Sequence, residues 1–260
     1  MESPERFEFK FVLNDRQHEV FHSTFGARLK PDFQGGPTGI YPVVSLYYDT
    51  VDFRCYWEAW RKMPSRRKLR VRVYGSSDGQ IAPTTFIEVK HKVEGLGFKR
   101  RVQTDLKTAF DLVNGRLSGD GLPLEAQTTV AETQHMVREE GFRPCCTIRY
   151  LRHAYWLSLD EEDAPARRVA PLRITVDSGL MVRFDSLEPK PDDRRFNTEL
   201  LSPRTHILEI KGQGAIPFSL ALRLARAGIR SSSMSKYCKA IEYLLQDSRD
   251  RKTVGAPNAV

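Results

Sequence analysis

The sequence is short of the features that mark secreted or membrane-spanning chains. Only four cysteines occur in 260 residues, Cys55, the adjacent Cys145 and Cys146, and Cys238. None has the C-x-x-C spacing of a zinc or redox motif. No apolar run approaches the ~18 residues that cross a bilayer, and MESPERFEFK lacks the pattern of a signal peptide. The expectation is a cytoplasmic protein with reduced thiols and no transmembrane segment. The phosphate-loop arrangement G-x-x-x-x-G-K-[ST] is also missing, and the hydroxyl-rich SSSMS stretch does not replace it. With no repeat of fixed length and no clear linker, one domain over residues 1–260 is expected, its core from 6 to 245, followed by a mobile tail.

Acidic residues are the scarcer charge, 33 against 41 Lys plus Arg, which leaves a formal net charge of +8 and a pI near 9.4. Such an excess points to an anionic partner without choosing among nucleic acid, a membrane surface and phosphate compounds. A 40% hydrophobic and 28% charged composition is that of a globular chain able to bury a full core.

The segment RFEFKF near the start alternates aromatic and charged residues, so Phe7, Phe9 and Phe11 share one face of a strand and Arg6, Glu8 and Lys10 the other. Asn14 and Gln17 then have capping-box spacing, predicting a helix that runs to about Leu29 before Pro31 and FQGGPTG stop it. Strands are predicted at VVSLYYDT, KLRVRVYG, TTFIEVKHK and GFKRRVQTDL, and a helix in LEAQTTVAETQHMVREE. Further strands are predicted at CCTIRYLRHAYWLSL, PLRITVDSG, LMVRFDSLE and THILEIKG, the first two separated by the polar loop DEEDAPARRVA. Two closing helices lie in FSLALRLARAG and SMSKYCKAIEYLLQD.

The two-faced pattern recurs in nearly every strand. Arg70 and Arg72 alternate with Leu69, Val71 and Val73; Glu88 and Lys90 with Ile87 and Val89; Lys99 and Arg101 with Phe98 and Val102. Tyr150 and Arg152 flank Leu151, Arg173, Thr175 and Asp177 alternate with Leu172, Ile174 and Val176, and Glu209 and Lys211 alternate with Leu208 and Ile210. The wet face of an open antiparallel sheet is normally of mixed polarity, whereas like charges side by side on a sheet repel unless an anion sits among them. A closed antiparallel barrel resolves the conflict: the apolar face packs on helices and the charged face encloses a polyanion. The fold class expected is therefore α+β, an eight-stranded antiparallel barrel with flanking helices. Arginine forks grip two phosphate oxygens at once and lysine adds point charge. Carboxylates among them are repulsive to phosphate unless they pair with the basic residues or a hard cation intervenes, so Mn²⁺ or Mg²⁺ on Glu8, Glu88 or Glu209 stands beside simple ion pairing. His18 and His22 lie one helical turn apart without an evident third ligand, and His91, His153 and His206 fall on outward positions.

The ordered set RFEFK, SLYYDTVDFRCY, RKLRVRVY, FIEVKHK with FKRR, YLRHAY, LRITVDSGL, ILEIK and SMSKY resembles the VTC domain of the polyphosphate polymerases, within the triphosphate tunnel metalloenzyme (CYTH-like) superfamily. The resemblance implies a tunnel that binds triphosphate or polyphosphate inside the barrel. Matched by motif, Lys10, Arg70, Arg72, Lys90, Arg152 and Arg173 would act on the phosphates, with Lys99, Arg101, Tyr150, Lys211, Ser235 and Lys236 completing the lining. Glu209 matches the acidic position assigned to the metal. Ser233 stands where eukaryotic relatives usually have lysine.

The implied reaction is transfer of the γ-phosphoryl group of ATP to a polyphosphate chain, with hydrolysis of inorganic triphosphate as the alternative. A non-catalytic polyphosphate or nucleic-acid binder is a third reading. Against specific nucleic-acid readout, such readers add stacking platforms or a groove-reading helix; Tyr47, Tyr48, Tyr56, Trp57 and Trp60 are instead expected to pack outside the barrel or stack a base at its mouth.

Overall fold

The computed structural model describes residues 6–32, 36–75, 83–158, 171–190, 193 and 195–254. The polar loop at 160–170 lies outside them. Strand β1 (Arg6–Asn14) leads into helix α1 (Asp15–Phe25), and the predicted capping box is present: the Asn14 side chain accepts from Gln17 N at 2.9 Å while Gln17 Oε1 accepts from Asn14 N at 3.1 Å. The helix ends earlier than Leu29, because Gly26–Arg28 tighten into a 3-10 turn and Leu29–Pro31 form a short strand, β2. Then come β3 (Ile40–Asp49), α2 (Arg54–Trp60), β4 (Ser65–Tyr74), β5 (Thr84–Val93), β6 (Leu96–Thr104), α3 (Leu106–Val113) and α4 (Leu124–Arg138). The chain continues through β7 (Arg143–Leu157), β8 (Leu172–Arg183), β9 (Thr198–Glu199), β10 (Thr205–Gln213), α5 (Phe218–Arg226) and α6 (Lys236–Val254). The tail expected to be mobile is helical as far as Val254, and the remainder lies outside the described residues. Among the described residues no helix is long and apolar enough to cross a membrane.

Eight strands run in the order β1-β10-β8-β7-β3-β4-β5-β6, every neighbouring pair antiparallel; β2 and β9 attach to β7 and β8. The sheet curls into a half-barrel whose convex face carries the apolar residues. Phe11, Leu208, Ile210, Ile174 and Val176 pack beneath α1 and α5, and Leu69, Val71, Ile87, Val89 and Val102 pack with residues of α3 and α4. Each such side chain, removed wholly from water, contributes about 1.5–3 kcal/mol. Burying this face forces the alternate, charged face inward, which answers why β1 gives three positions to charge.

Two departures from the expected strands have local causes. Where two strands are expected across residues 171–188, a single bulged strand runs from Leu172 to Arg183: opposite Arg149–Leu151 the register shifts, and Gly179 takes φ +60°, a conformation glycine adopts without steric cost. No ladder joins β6 to β1 among the described residues. The seam is bridged instead: Ser231 pairs with Phe11, Ser232 N donates to Lys10 O at 2.7 Å, and Lys90 of β5 reaches Glu8 of β1 at 3.8 Å. The serine-rich segment before α6 is thus part of the barrel wall.

On the convex side, four of the six histidines gather where α1 meets the sheet. His18 stacks on His206 with centroids 4.2 Å apart and meets His22 edge-on at 4.6 Å; His22 and His153 both approach Tyr155. His206 shares hydrogen bonds with Ser178 Oγ at 2.7 Å and Asp15 Oδ1 at 3.1 Å. Burial and then the neighbouring imidazoles lower His18 to about 4, and burial lowers His22 and His153. Groups depressed in the fold take up protons more readily when unfolded, so stability falls as pH drops from 6.5 toward about 4. Urea unfolding at pH 7 and pH 5 is expected to show this loss in the native protein and a smaller one in His18→Gln; equal losses would contradict it.

Candidate functional site

The concave face is built by register. Cross-strand neighbours place Lys10 beside Glu209, Glu8 beside Lys211, and Lys211 beside Arg173. On the other wall Arg70 lies between Tyr47 and Glu88, Arg72 between Ser45 and Phe86, and Lys90 beside Lys99, while Glu88 faces Arg101. Between the walls, Arg152 lies opposite Asp177, and Tyr150 projects two residues before it. Helix α6 begins at the inner end. Ser235 caps it, its Oγ accepting from Cys238 N at 3.3 Å and from Lys68 Nζ at 2.9 Å, and Lys236 enters the tunnel.

Four carboxylates hold these cations apart. Glu88, 1% exposed, takes Arg70 Nη2 at 2.6 Å and Arg72 Nε at 3.8 Å on one oxygen and Lys99 Nζ at 2.7 Å on the other. Asp177 takes Arg152 and Lys236 at 2.7 and 2.6 Å. Glu209 pairs with Lys211 at 2.9 Å and more loosely with Lys10 and Lys236, at 3.5 and 3.8 Å; Glu8 pairs with Lys10, Lys90 and Lys211 at 3.3 to 3.9 Å. Burial alone would raise all four, yet the surrounding cations hold each below the usual carboxylate range. Three tyrosines add hydroxyls: Tyr47 accepts from Arg70 at 3.1 Å, Tyr74 from Arg72 at 3.3 Å, and Tyr150 from Arg152 at 3.5 Å. Burial would raise Tyr74, but Arg72, Arg152 and Arg70 bring it to about 8.

Exposure grades along the tunnel. Arg72, Arg152 and Lys236 are nearly buried, whereas Lys90 is 45% exposed at the mouth, with Lys99 and Lys211. Desolvation, Lys10 and Arg70 lower Lys90 to about 8. Arg173 sits at the rim, its guanidinium donating to Asp32 at 2.9 and 3.1 Å, and Arg101 lies over the Phe86 ring at 4.7 Å.

Asp177, Lys68, Tyr47 and Tyr74 were not among the sequence-derived site residues. Lys68 and Tyr74 continue the alternation of Arg70 and Arg72, a signal the sequence did carry. Tyr47, expected to pack outside the barrel or to stack a base at its mouth, lies on the inner face, stacked on Tyr237 with centroids 5.3 Å apart, because the β3 register sets it beside Arg70. Tyr48, Tyr56 and Trp57 do lie in or against the apolar core, while Trp60 is exposed.

For a divalent cation the carboxylates differ. Among the described residues no three His, Cys, Asp or Glu side chains converge as a cage. Mg²⁺ commonly takes only one or two carboxylates and completes its shell with water and substrate phosphates. Glu8 and Glu209, which share Lys10 and Lys211 through mostly long contacts, fit such a site. Both oxygens of Glu88 are already held by short bonds to cations.

The concave face is thus a basic channel with embedded carboxylates, enclosed by a curled antiparallel sheet. Residues 5–245 match the family model of the VTC domain, and the chain belongs to that family. Among solved structures, a candidate adenylate cyclase from Vibrio parahaemolyticus is similar at 11% identity and a TM-score of 0.41, over 90% of this chain and 96% of that one. A Hippeastrum protein, named as a candidate adenylyl cyclase and described as having a dominant triphosphatase activity, is similar at 14% identity and a TM-score of 0.44, over 90% and 93%. The comparison with curated proteins gives no match.

Removing the charge of Glu88 leaves Arg70, Arg72 and Lys99 crowded without a counter-ion. Breaking a buried pair in this way costs about 3 kcal/mol, so Glu88→Gln is expected to unfold at lower urea and to regain more stability than the native protein when tripolyphosphate is added. An unchanged midpoint would contradict the role given to Glu88.

Proposed function

We propose that the tunnel is the active site of a metal-dependent phosphotransferase that moves the γ-phosphoryl group of ATP onto the end of a polyphosphate chain. The observation that carries this reading is the convergence of Arg70, Arg72, Arg152 and Lys236 on one enclosed face, with Lys10, Lys90, Lys99 and Lys211 leading outward. Such a row matches a linear chain of phosphates better than a compact anion. Phosphoryl transfer asks mainly for positioning and for neutralisation of charge on the transferred group.

An oxygen of the acceptor's terminal phosphate would attack Pγ, and the bond from Pγ to the bridging oxygen would break with its electron pair leaving on ADP. Arginines at the inner end would hold the equatorial oxygens, and the mouth lysines would hold the remainder of the chain. Glu209 and Glu8 would hold Mn²⁺ or Mg²⁺, which supplies Lewis-acid neutralisation of the phosphate oxygens. As the cation and phosphates enter, Lys10 and Lys211 would exchange their carboxylate partners for phosphate oxygens.

With water as acceptor the same site would hydrolyse tripolyphosphate, but water must lose a proton. All four tunnel carboxylates are ion-paired and held below their usual range, which makes them weak bases and favours an acceptor that is already ionised. Purified protein is expected to form polyphosphate from ATP with Mn²⁺ faster than it releases phosphate from tripolyphosphate, and Arg70→Ala is expected to lose at least about 100-fold in kcat/KM. Hydrolysis without polymer would select the hydrolase; binding without turnover would reject both enzymatic readings.

A pH dependence follows from Lys90 and Tyr74. Above about 8 the first loses its positive charge and the second gains a negative one, so one attraction for phosphate is lost and one repulsion is added. Tripolyphosphate affinity by calorimetry is expected to fall between pH 7 and 9, and the fall to flatten in Lys90→Arg/Tyr74→Phe. An identical slope in that variant would refute the assignment.

A further inference from the structure

Asp177 lies on the inner face of β8 with no exposed side-chain surface. Its Oδ1 accepts from Arg152 Nε at 2.7 Å, and its Oδ2 accepts from Arg152 Nη2 at 2.8 Å and pairs with Lys236 Nζ at 2.6 Å. One carboxylate thereby ties two neighbouring strands to the first residue of α6. Lys236 Nζ also sits 4.8 Å from the centre of the Tyr150 ring, and Arg152 Nη2 reaches the hydroxyl of that tyrosine at 3.5 Å. The two cations and the ring form a single packed group around Asp177.

For an anion site this placement is paradoxical. A fixed negative charge beside Arg152 and Lys236 weakens attraction for phosphate, and a neutral acceptor would serve that purpose better. The gain is geometric. Arg152 has two donors committed to one carboxylate, Nε and Nη2, which fixes the plane of its fork and leaves Nη1 outside that pair. Lys236, otherwise a flexible point charge at a helix start, is drawn to the same carboxylate and cannot retreat from its like-charged neighbour.

We infer that Asp177 is a positioning residue for phosphoryl transfer, holding Arg152 and Lys236 at the spacing that grips the reacting phosphate without touching it itself. The inference rests on the tunnel being the active site, as proposed above.

Opposite signs separate positioning from simple electrostatics. If charge alone matters, Asp177→Asn makes the tunnel more positive, tightens tripolyphosphate binding and leaves kcat unchanged. If Asp177 positions its partners, Asp177→Asn lowers kcat by about tenfold or more, as misplaced catalytic groups do, while tripolyphosphate affinity by calorimetry stays within about threefold because the added positive charge offsets the lost alignment. A purely structural role would lower the melting temperature in both free and tripolyphosphate-bound protein and leave kcat of the folded fraction intact.

The cycle with Lys236→Gln completes the test. Positioning of both partners predicts that Asp177→Asn costs less kcat in the Lys236→Gln background than in the native one, the remaining loss being that of Arg152, whereas independent effects multiply. Should the single Asp177→Asn variant not fold, Asp177→Asn/Lys236→Gln removes the uncompensated cation and is compared directly with Lys236→Gln. A further loss of kcat in the double variant, from the released Arg152, supports the inference, and kcat equal to that of Lys236→Gln overturns it. Native protein that turns over neither ATP nor tripolyphosphate would reject the functional reading itself. Active native protein with an equally active Asp177→Asn would reject only the role of Asp177.

Discussion

Mutual repulsion among basic side chains on the concave face is the constraint that organises this molecule. Two like charges 4 Å apart at the effective dielectric of a protein surface repel by about 4 kcal/mol, and the tunnel gathers arginines and lysines from several strands and a helix around shared carboxylates. The solution is interleaving. Glu88 gathers Arg70, Arg72 and Lys99, Asp177 gathers Arg152 and Lys236, and Glu8 and Glu209 share the outer lysines. Each carboxylate thereby offsets the repulsion among the cations it gathers.

The apolar face makes that arrangement affordable. Core residues on the convex side of β1, β8 and β10 are covered by α1 and α5, and those of β4 and β5 by α3 and α4. Hydrophobic burial drives the sheet to curl over its charged face, and the ion pairs then determine how near the walls approach. The seam between β1 and β6 follows the same logic: serines 231 and 232 run along β1 where a ninth strand would lie, and the Lys90 to Glu8 pair spans the gap.

Much of this is legible in the sequence because strand periodicity is two and most strands follow it. Alternation placed Arg70, Arg72, Glu88, Lys90, Arg152 and Glu209 on one face before any fold was known. What it could not supply was partnership. Tyr47 sits in a run of buried β3 residues whose inner and outer members look alike, and only its register beside Arg70 shows which face it occupies. Asp177 alternates like the basic residues, but its hold on Lys236 depends on a helix start distant in sequence. Helix α2 was missed for a different reason: it spans only Arg54–Trp60, is rich in aromatics, and has no side-chain cap at Phe53. Upstream groups stabilise it, since Asp49 Oδ1 accepts from Cys55 N and Thr50 Oγ1 from Arg54 N, both at 3.0 Å. The bulge at Gly179 imitates a turn in the sequence, which divided β8 in two.

Membership of the VTC family and the geometry both support the proposal that linear phosphate threads the tunnel along a path now occupied by internal ion pairs. A crystal structure of the protein with tripolyphosphate and Mn²⁺ tests it most directly. The account predicts consecutive phosphates lying inside the sheet, within hydrogen-bond reach of Arg70, Arg72, Arg152 and Lys236, with the metal against Glu209. Phosphate bound instead on the convex surface, beside Arg67 or Arg100 and with the internal ion pairs unchanged, would contradict it.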